Sequence, residues 1–233
     1  MISTKNIPGG NESSISKTLN PGNHEVTITS FKLEKVPYKE GGYNGILNVV
    51  GPDMGEDFEG FFIDKDRPTL GRYLGQIGRV RTSEFPYADG VTRSGISISR
   101  DNEILRFVRN VCMETGSMAW FEQQDEKHDT IESFVAQFND DKPFEGKKIY
   151  VCLGAREYVN KAGYTAHDLF LPRAPKGKAS FKALENSDKV MEFAEETHIK
   201  KPKSETVTDF AVQDGLSGDI PTTSNVSSDF SLG

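Results

Sequence analysis

Two short segments of the chain combine aromatic rings with positive charges. The first contains Lys35, Tyr38, Lys39 and Tyr43, and the second contains Arg156, Tyr158, Lys161 and Tyr164. Cations neutralise the backbone of single-stranded nucleic acid, and each base that stacks on an aromatic ring contributes ~1–3 kcal/mol. Tyrosine is also common at strand ends, where its ring packs and its hydroxyl stays in water. The residues therefore indicate nucleic-acid binding only if the fold brings both segments to one surface.

Residues suited to catalysis are few and scattered. Asp64 and Asp66 could bind a divalent cation, but such a pair more commonly caps a helix in a solvated turn. The histidines have no cysteine or second histidine at ligand spacing, and Cys152 has no evident histidine partner. The four histidines are His24, His128, His167 and His198. We therefore expect no enzymatic activity, no cofactor and no metal site.

The hydrophobic pattern predicts five strands that would position the two segments. The first strand alternates Val26 and Ile28 and then slips in phase to Phe31 and Leu33, as a β-bulge produces in a long, bent strand. Turn residues separate it from the next two strands. The aromatic segments then become the loops that join strands one and two and strands four and five. The predicted strands span residues 24–36, 46–50, 58–63, 149–153 and 169–171.

A helical insertion is predicted between the third and fourth strands, over about residues 66–145. Apolar residues from Leu70 to Ile77 recur at helical spacing after a possible N-cap at Asp66. Two more amphipathic helices are expected after Asp101 and Asp129.

The net charge of -7 is unevenly distributed, so it does not exclude a nucleic-acid ligand. Residues 67–109 contain eight arginines and four acids, whereas residues 122–145 contain two lysines and eight acids. A basic surface can bind phosphate while acidic segments lie elsewhere. We expect the acidic half of the helical insertion to face away from nucleic acid or to contact a protein.

Composition also limits the expected compartment. The two cysteines are too few for a disulfide framework and are typical of a reducing cytoplasm. No stretch reaches the ~18–20 apolar residues that span a bilayer, and the N-terminus lacks the apolar core of a signal peptide. We therefore expect a cytoplasmic protein without a membrane partner.

The two ends of the chain differ in composition from its centre. Ser, Asn, Gly and Pro predominate in residues 1–22, which predicts a flexible arm before a domain at residues 23–175. Residues 176–203 hold seven lysines and five acids and predict a basic linker or weak helix. Residues 204–233 hold five acids and no Lys or Arg, which predicts a disordered acidic tail.

The predicted strand order is that of an OB fold, whose ligand face is flanked by the loops after strands one and four. Residues 22–28 would open the barrel, residues 146–151 would open its second half, and residues 158–164 would form its closing hairpin. In these segments the chain resembles the OB-fold single-stranded DNA-binding proteins, particularly those of bacteriophages. The resemblance covers residues 20–173 in strand order. It implies a mainly β fold with a helical insertion (α+β), built on a five-stranded OB-like barrel. It also implies that the protein coats single-stranded DNA in replication or recombination, in the host cytoplasm if it is phage encoded.

This interpretation assigns roles to eleven residues. Backbone phosphates would be neutralised by lysines and arginines, and bases would stack on tyrosines with little base specificity. The cations are Lys32, Lys35, Lys39, Arg67, Arg72, Arg156 and Lys161, and the stacking residues are Tyr38, Tyr43, Tyr158 and Tyr164.

The acidic tail extends the resemblance. Many such proteins end in a disordered acidic tail whose apolar tip docks on replication and repair proteins, and residues 204–233 are similar in composition. An anionic tail can also compete with DNA for a basic surface. The candidate partner-binding residues are Asp219, Ile220, Pro221, Asp229, Phe230 and Leu232.

Two other functions fit the same residues. A barrel whose tyrosine loops meet another protein would be a protein-interaction module or a virion component. A metal-dependent nucleic-acid enzyme would instead use Asp64, Asp66 and nearby acids.

Overall fold

The computed structural model describes residues 16–52, 58, 60–62, 72–73, 75–161 and 163–202. In this part of the chain the strands are β1 (Gly22–Lys35), β2 (Tyr43–Val50), β3 (Phe61–Phe62), β4 (Arg72–Tyr73), β5 (Ile77–Arg81), β6 (Gly90–Val91), β7 (Ser97–Ile98), β8 (Lys148–Val159), β9 (Thr165–Phe170), β10 (Phe181–Ala183) and β11 (Ile199–Lys200). The helices are α1 (Arg100–Glu114), α2 (Met118–Gln123), α3 (Ile131–Asp141), a 3₁₀ helix (Leu184–Lys189) and α4 (Glu195–His198). Most of the predicted N-terminal arm, Asp64, Asp66, Arg67 and the acidic tail lie outside the described residues.

Five of the strands form a ring-like sheet. Its order is β1, β2, β5, β9 and β8, and β8 pairs again with β1. Neighbours in the ring are antiparallel except β5 and β9, which are parallel with Val80 opposite Leu169. The fold is therefore mixed α/β and dominated by strands, as the sequence predicts.

Strand β1 is long enough to belong to two sides of the ring. Residues 22–27 pair with β8 and residues 27–35 pair with β2, with a register shift between Ile28 and Ser30. The bulge predicted from the change of hydrophobic phase is confirmed at this position. Beyond it, the Asn139 side chain accepts from the Phe31 N–H (2.9 Å) and donates to the Phe31 carbonyl (2.6 Å), so backbone groups that no longer face β8 stay paired.

The helices close one side of the hydrophobic core. Phe31 from β1 is fully buried and lies 5.3 Å from the Phe107 ring of α1 and 6.4 Å from the Phe138 ring of α3. Both predicted helices are present, although α1 is capped by Ser99 and α3 by Thr130 rather than by the aspartates expected from sequence. None of the helices described has the length and apolar content needed to cross a membrane.

The third strand of the ring is not where the sequence placed it. Phe61–Phe62 pairs with Arg72–Tyr73 in a separate two-stranded sheet, and the ring uses β5 instead. The predicted helix over residues 66–77 is therefore wrong at 72–73 and at 77. In β5, Gly78 and Val80 are buried while Ile77 and Arg79 are exposed, a period of two that the helical spacing of the preceding apolar residues obscured.

Residues 176–202 are not a simple linker. Strand β10 pairs antiparallel with β8, and β11 pairs parallel with the other half of β8. Val190 and Met191 are buried against Cys152 on the outer side of that strand. The segment therefore belongs to the folded unit because it supplies apolar cover that its high lysine content masked.

Candidate nucleic-acid interface

The loop between β1 and β2 presents an exposed ring beside several lysines. Its turn is closed by backbone hydrogen bonds from Val36 N–H to the Gly42 carbonyl (3.0 Å) and from Gly42 N–H to the Lys39 carbonyl (3.0 Å). Tyr38 is 76% exposed, and Lys35 and Lys39 are exposed on either side of it. These three side chains can reach a ligand without rearrangement of the core.

Tyr43 has a different environment. It is only 7% exposed, its hydroxyl donates to Glu132 of α3 (2.5 Å), and the Arg100 guanidinium lies 5.0 Å from its ring centre. The hydrogen bond to Glu132 is the main cause that raises the pKa of Tyr43 and lowers the pKa of Glu132. Arg100 also donates to the Gly41 carbonyl (2.9 Å). Tyr43 therefore anchors the first loop to the helices, and its ring is not offered for stacking.

The hairpin of β8 and β9 presents two further exposed rings, Tyr158 at the end of β8 and Tyr164 in the loop. Asn160 organises the turn: its N–H donates to the Tyr164 carbonyl (2.9 Å), and its side-chain oxygen accepts from the Tyr164 N–H (3.0 Å). Gly163 has φ +82°, which explains the glycine at this position. Tyr158 is 43% exposed and Tyr164 is 72% exposed, and both Arg156 and Lys161 are exposed nearby in the chain.

The outer face of β1, β2 and β5 carries cations in register. Ile46 of β2 pairs with Lys32 on β1 and with Arg81 on β5. Two residues further along β2, Asn48 pairs with Arg79 on β5. The intervening residues of β2 and β5 belong to the core, so these side chains share the other face. Arg79 forms an ion pair with Glu34, and Arg81 lies 3.5 Å from Asp168.

The cationic face continues onto the second hairpin. Arg156 of β8 lies opposite Asp168 of β9, and Arg81 is paired with Phe170 of the same strand. A small crevice is lined by these four residues together with Glu84. Asp168 thus contacts Arg81 of β5 and lies in register with Arg156 of β8.

The two loops leave this face at opposite ends of its strands. The first loop joins β2 at Tyr43, beyond the row formed by Ile46 and Arg81. The second loop joins β9 at Thr165, and Leu169, later in β9, pairs with Val80 of β5. Because β9 runs parallel to β5, the second loop lies near the start of β5, whereas the first loop lies near its end. Exposed tyrosines therefore flank a strand face that carries Lys32, Arg79, Arg81 and Arg156.

Arg79 and Arg81 are not among the binding residues that the sequence predicts. Their alternation with Gly78 and Val80 is the available signal, and the incorrect helix before them concealed it. Arg72 lies on β4, outside the ring, and Arg67 lies outside the described residues. One member of the acidic segment, Glu132, lies at the base of the first loop. That the segment faces away from nucleic acid or contacts a protein stays a prediction.

The described part of the chain offers no grouping of three or more His, Cys, Asp or Glu side chains that could hold a metal ion. Comparison of the sequence with protein-family models found no match, and comparison with curated proteins found no significant similarity.

Proposed function

We propose that the protein is a non-catalytic single-stranded DNA-binding protein with an OB-like barrel, of the type that coats DNA in phage replication or recombination. The observation that carries the proposal is the placement of two exposed tyrosine loops at opposite ends of a cationic face on β2 and β5. OB folds bind oligonucleotides on this face and with these two loops. The strand order β1, β2, β5, β9, β8 and the double use of β1 support the same assignment.

Binding would combine base stacking with neutralisation of the backbone. Tyr38, Tyr158 and Tyr164 are the exposed rings, and stacking on them is tolerant of base identity because every base has a π-face. Phosphates would contact the cations of the loops and of the strand face. These cations are Lys32, Lys35, Lys39, Arg79, Arg81, Arg156 and Lys161, with Arg67 and Arg72 as candidates from sequence.

The ion pairs of Arg79 and Arg81 are weak enough for a phosphate to replace their carboxylate partners. Arg79 and Glu34 both have substantial solvent exposure, and the Arg81–Asp168 contact is long. Exposed pairs of this kind contribute little stability, about 0.2–1 kcal/mol. A phosphate can therefore replace the carboxylate at small cost, and the arginines need not be unpaired in the free protein to bind DNA.

The acidic tail would have one of two roles. Its five acids and absence of Lys and Arg suit competition with DNA for the cationic face. Alternatively, the apolar residues near Ile220 and Phe230 would recruit a replication or recombination protein.

The test is binding of a fluorescently labelled oligo-dT, followed by anisotropy, beside a duplex of equal length. We expect saturable binding at low salt with a clear preference for the single strand, because a duplex hides the base faces on which tyrosines stack. Equal affinity for duplex, or no binding at low salt, would exclude this function and favour a protein-interaction module.

A further inference from the structure

A second concave surface lies on the helical side of the molecule, formed by α1, α2, α3 and the connection between α2 and α3. It is a cleft of about 610 Å³. Its apolar lining comes from Leu105, Met118, Phe121, Ile131 and Phe134. Leu105, Met118 and Phe121 are only partly buried, so the cleft leaves apolar surface open to solvent.

The cleft is supported by packed rings. Phe134 belongs to the main core and is in edge contact with Phe121 (ring centres 6.0 Å apart) and with His128 (5.6 Å). His128 also forms a 3.1 Å hydrogen bond with the Gln124 side chain. Because these contacts fix the walls, the concavity exists before a ligand arrives.

The rim of the cleft is strongly acidic. Five carboxylates line it, against Arg109 as the one permanent cation among the described residues of its lining. Asp101 is paired with Arg100, but the other four have no ion-pair partner in the part of the chain that the structure describes. Those four are Glu122, Asp125, Glu126 and Asp129.

We infer that this cleft, here named the helical cleft, docks a basic amphipathic segment of a partner protein. A large apolar side chain of the partner would enter the apolar lining, and flanking Lys or Arg residues would pair with the rim carboxylates. Because the four rim carboxylates are exposed, they would mainly select a cationic partner and speed its association, and the apolar lining would supply most of the affinity.

The charge of the rim argues against two other occupants. Nucleic acid would be repelled by four carboxylates that have no cationic partner among the described residues. The chain's own residues 204–233 contain five acids and no Lys or Arg, so they carry the wrong sign for this cleft. The inference does not rest on the DNA-binding proposal, which concerns a different face.

The test uses the full chain with ¹⁵N-labelled backbone and ¹³C-labelled Met methyl groups, followed by NMR at physiological salt. The probe is a synthetic 18-residue peptide with Leu at helical i, i+3, i+4 and i+7 spacing and Lys elsewhere. Control peptides have the same residues with the Leu positions scrambled, or Glu in place of Lys. We expect saturable shifts of the Met118 methyl and the His128 amide with the first peptide alone.

Two double variants with the same change of net charge test whether the peptide binds at the helical cleft. The double variant Glu122→Lys, Asp125→Lys should weaken binding at least tenfold. The matched variant Asp140→Lys, Glu145→Lys changes two exposed acids of the same segment that do not line the cleft, and it should leave binding unchanged. Equal loss in both variants, equal binding of the scrambled peptide, shifts confined to residues 204–233, or no binding would overturn the inference.

Discussion

Five tyrosine side chains occupy two environments that differ in solvent exposure. Tyr38, Tyr158 and Tyr164 project into solvent, whereas Tyr43 and Tyr87 lie against the helices and the strand face. Burial is the main cause that raises the pKa of Tyr87 to about 12, and its hydroxyl lies 2.8 Å from that of Thr82. Of these five tyrosines, only Tyr38, Tyr158 and Tyr164 present a ring on which a base could stack.

Truncating one exposed tyrosine in each loop should weaken DNA binding without affecting stability. For Tyr38→Ala with Tyr158→Ala we expect a loss of about 1–3 kcal/mol per stacked base, hence at least tenfold in the affinity for oligo-dT. The control pair Tyr38→Phe with Tyr158→Phe keeps both rings and should retain near-normal affinity. Anisotropy titration measures both variants, and equal losses would show that the rings do not stack on bases.

Asp168 should oppose DNA binding because it lies between Arg81 and Arg156. Asp168→Asn removes this negative charge from the cationic face, and we expect affinity for oligo-dT to rise by up to about fivefold at low salt. The control Asp188→Asn makes the same change of net charge on the 3₁₀ helix and should have little effect. Weaker binding by Asp168→Asn would instead assign Asp168 a role in positioning the arginines.

At the level of elements, the bent strand β1 depends on one side chain of α3. Asn139 satisfies both backbone groups of Phe31 and also donates to the Val135 carbonyl (2.8 Å). This contact fixes α3, and with it Glu132 and the anchored first loop, against the ring.

Asn139→Ala should therefore destabilise the protein. An unpaired buried backbone group costs about 1–3 kcal/mol, so we expect the free energy of unfolding to fall by at least that amount. Urea denaturation followed by circular dichroism measures it. Gln137→Ala, on the same helix, removes only an exposed hydrogen bond to Asp141 and should cost less than about 0.5 kcal/mol. Similar losses for the two variants would contradict the proposed role of Asn139.

The elements whose periodicity is long could be predicted from the sequence, whereas β5, the ring strand whose position depends on its neighbours, could not. Strands β1, β2, β8 and β9 and helices α1 and α3 have clear alternation or amphipathic spacing. Strand β5 has five residues, and its place depends on close approach to β2, where a Cβ at Gly78 would lie 2.8 Å from Val49. Such a contact is long-range, and the period-two pattern of these few residues is too short to outweigh the helical spacing of the apolar residues before them.

The candidate site is predictable to a similar degree. Residue type and position in the hairpins are enough to predict that Tyr38, Tyr158 and Tyr164 are exposed, and their role in binding stays a prediction. The same signals cannot separate Tyr43 from them, because its burial depends on Arg100 and Glu132 from distant helices.

For the whole molecule, net charge is a poor guide to ligand chemistry. The total is -7, yet arginines and lysines collect on the β1–β2–β5 face and carboxylates collect around the helical cleft. The DNA-binding proposal and the docking proposal therefore concern two surfaces of opposite sign, and neither ligand would have to displace the other.

Removal of residues 204–233 should tighten DNA binding if the tail competes for the cationic face. Deletion takes away five acids, and we expect higher affinity for oligo-dT at low salt with a diminishing difference as salt screens the tail. A full-length variant with those acids replaced by Asn or Gln should reproduce the gain. Unchanged affinity in both would assign the tail to partner recruitment alone.

The affinity for oligo-dT across a salt series measures how many phosphates the cationic face neutralises. If the cationic face neutralises phosphates, log affinity should fall linearly with log salt, by about 0.7 for each phosphate contacted. Arg81→Gln with Arg156→Gln should then reduce the slope by about 1.4. A slope near zero, or a slope unchanged by these two substitutions, would contradict the binding of DNA phosphates by the cationic face.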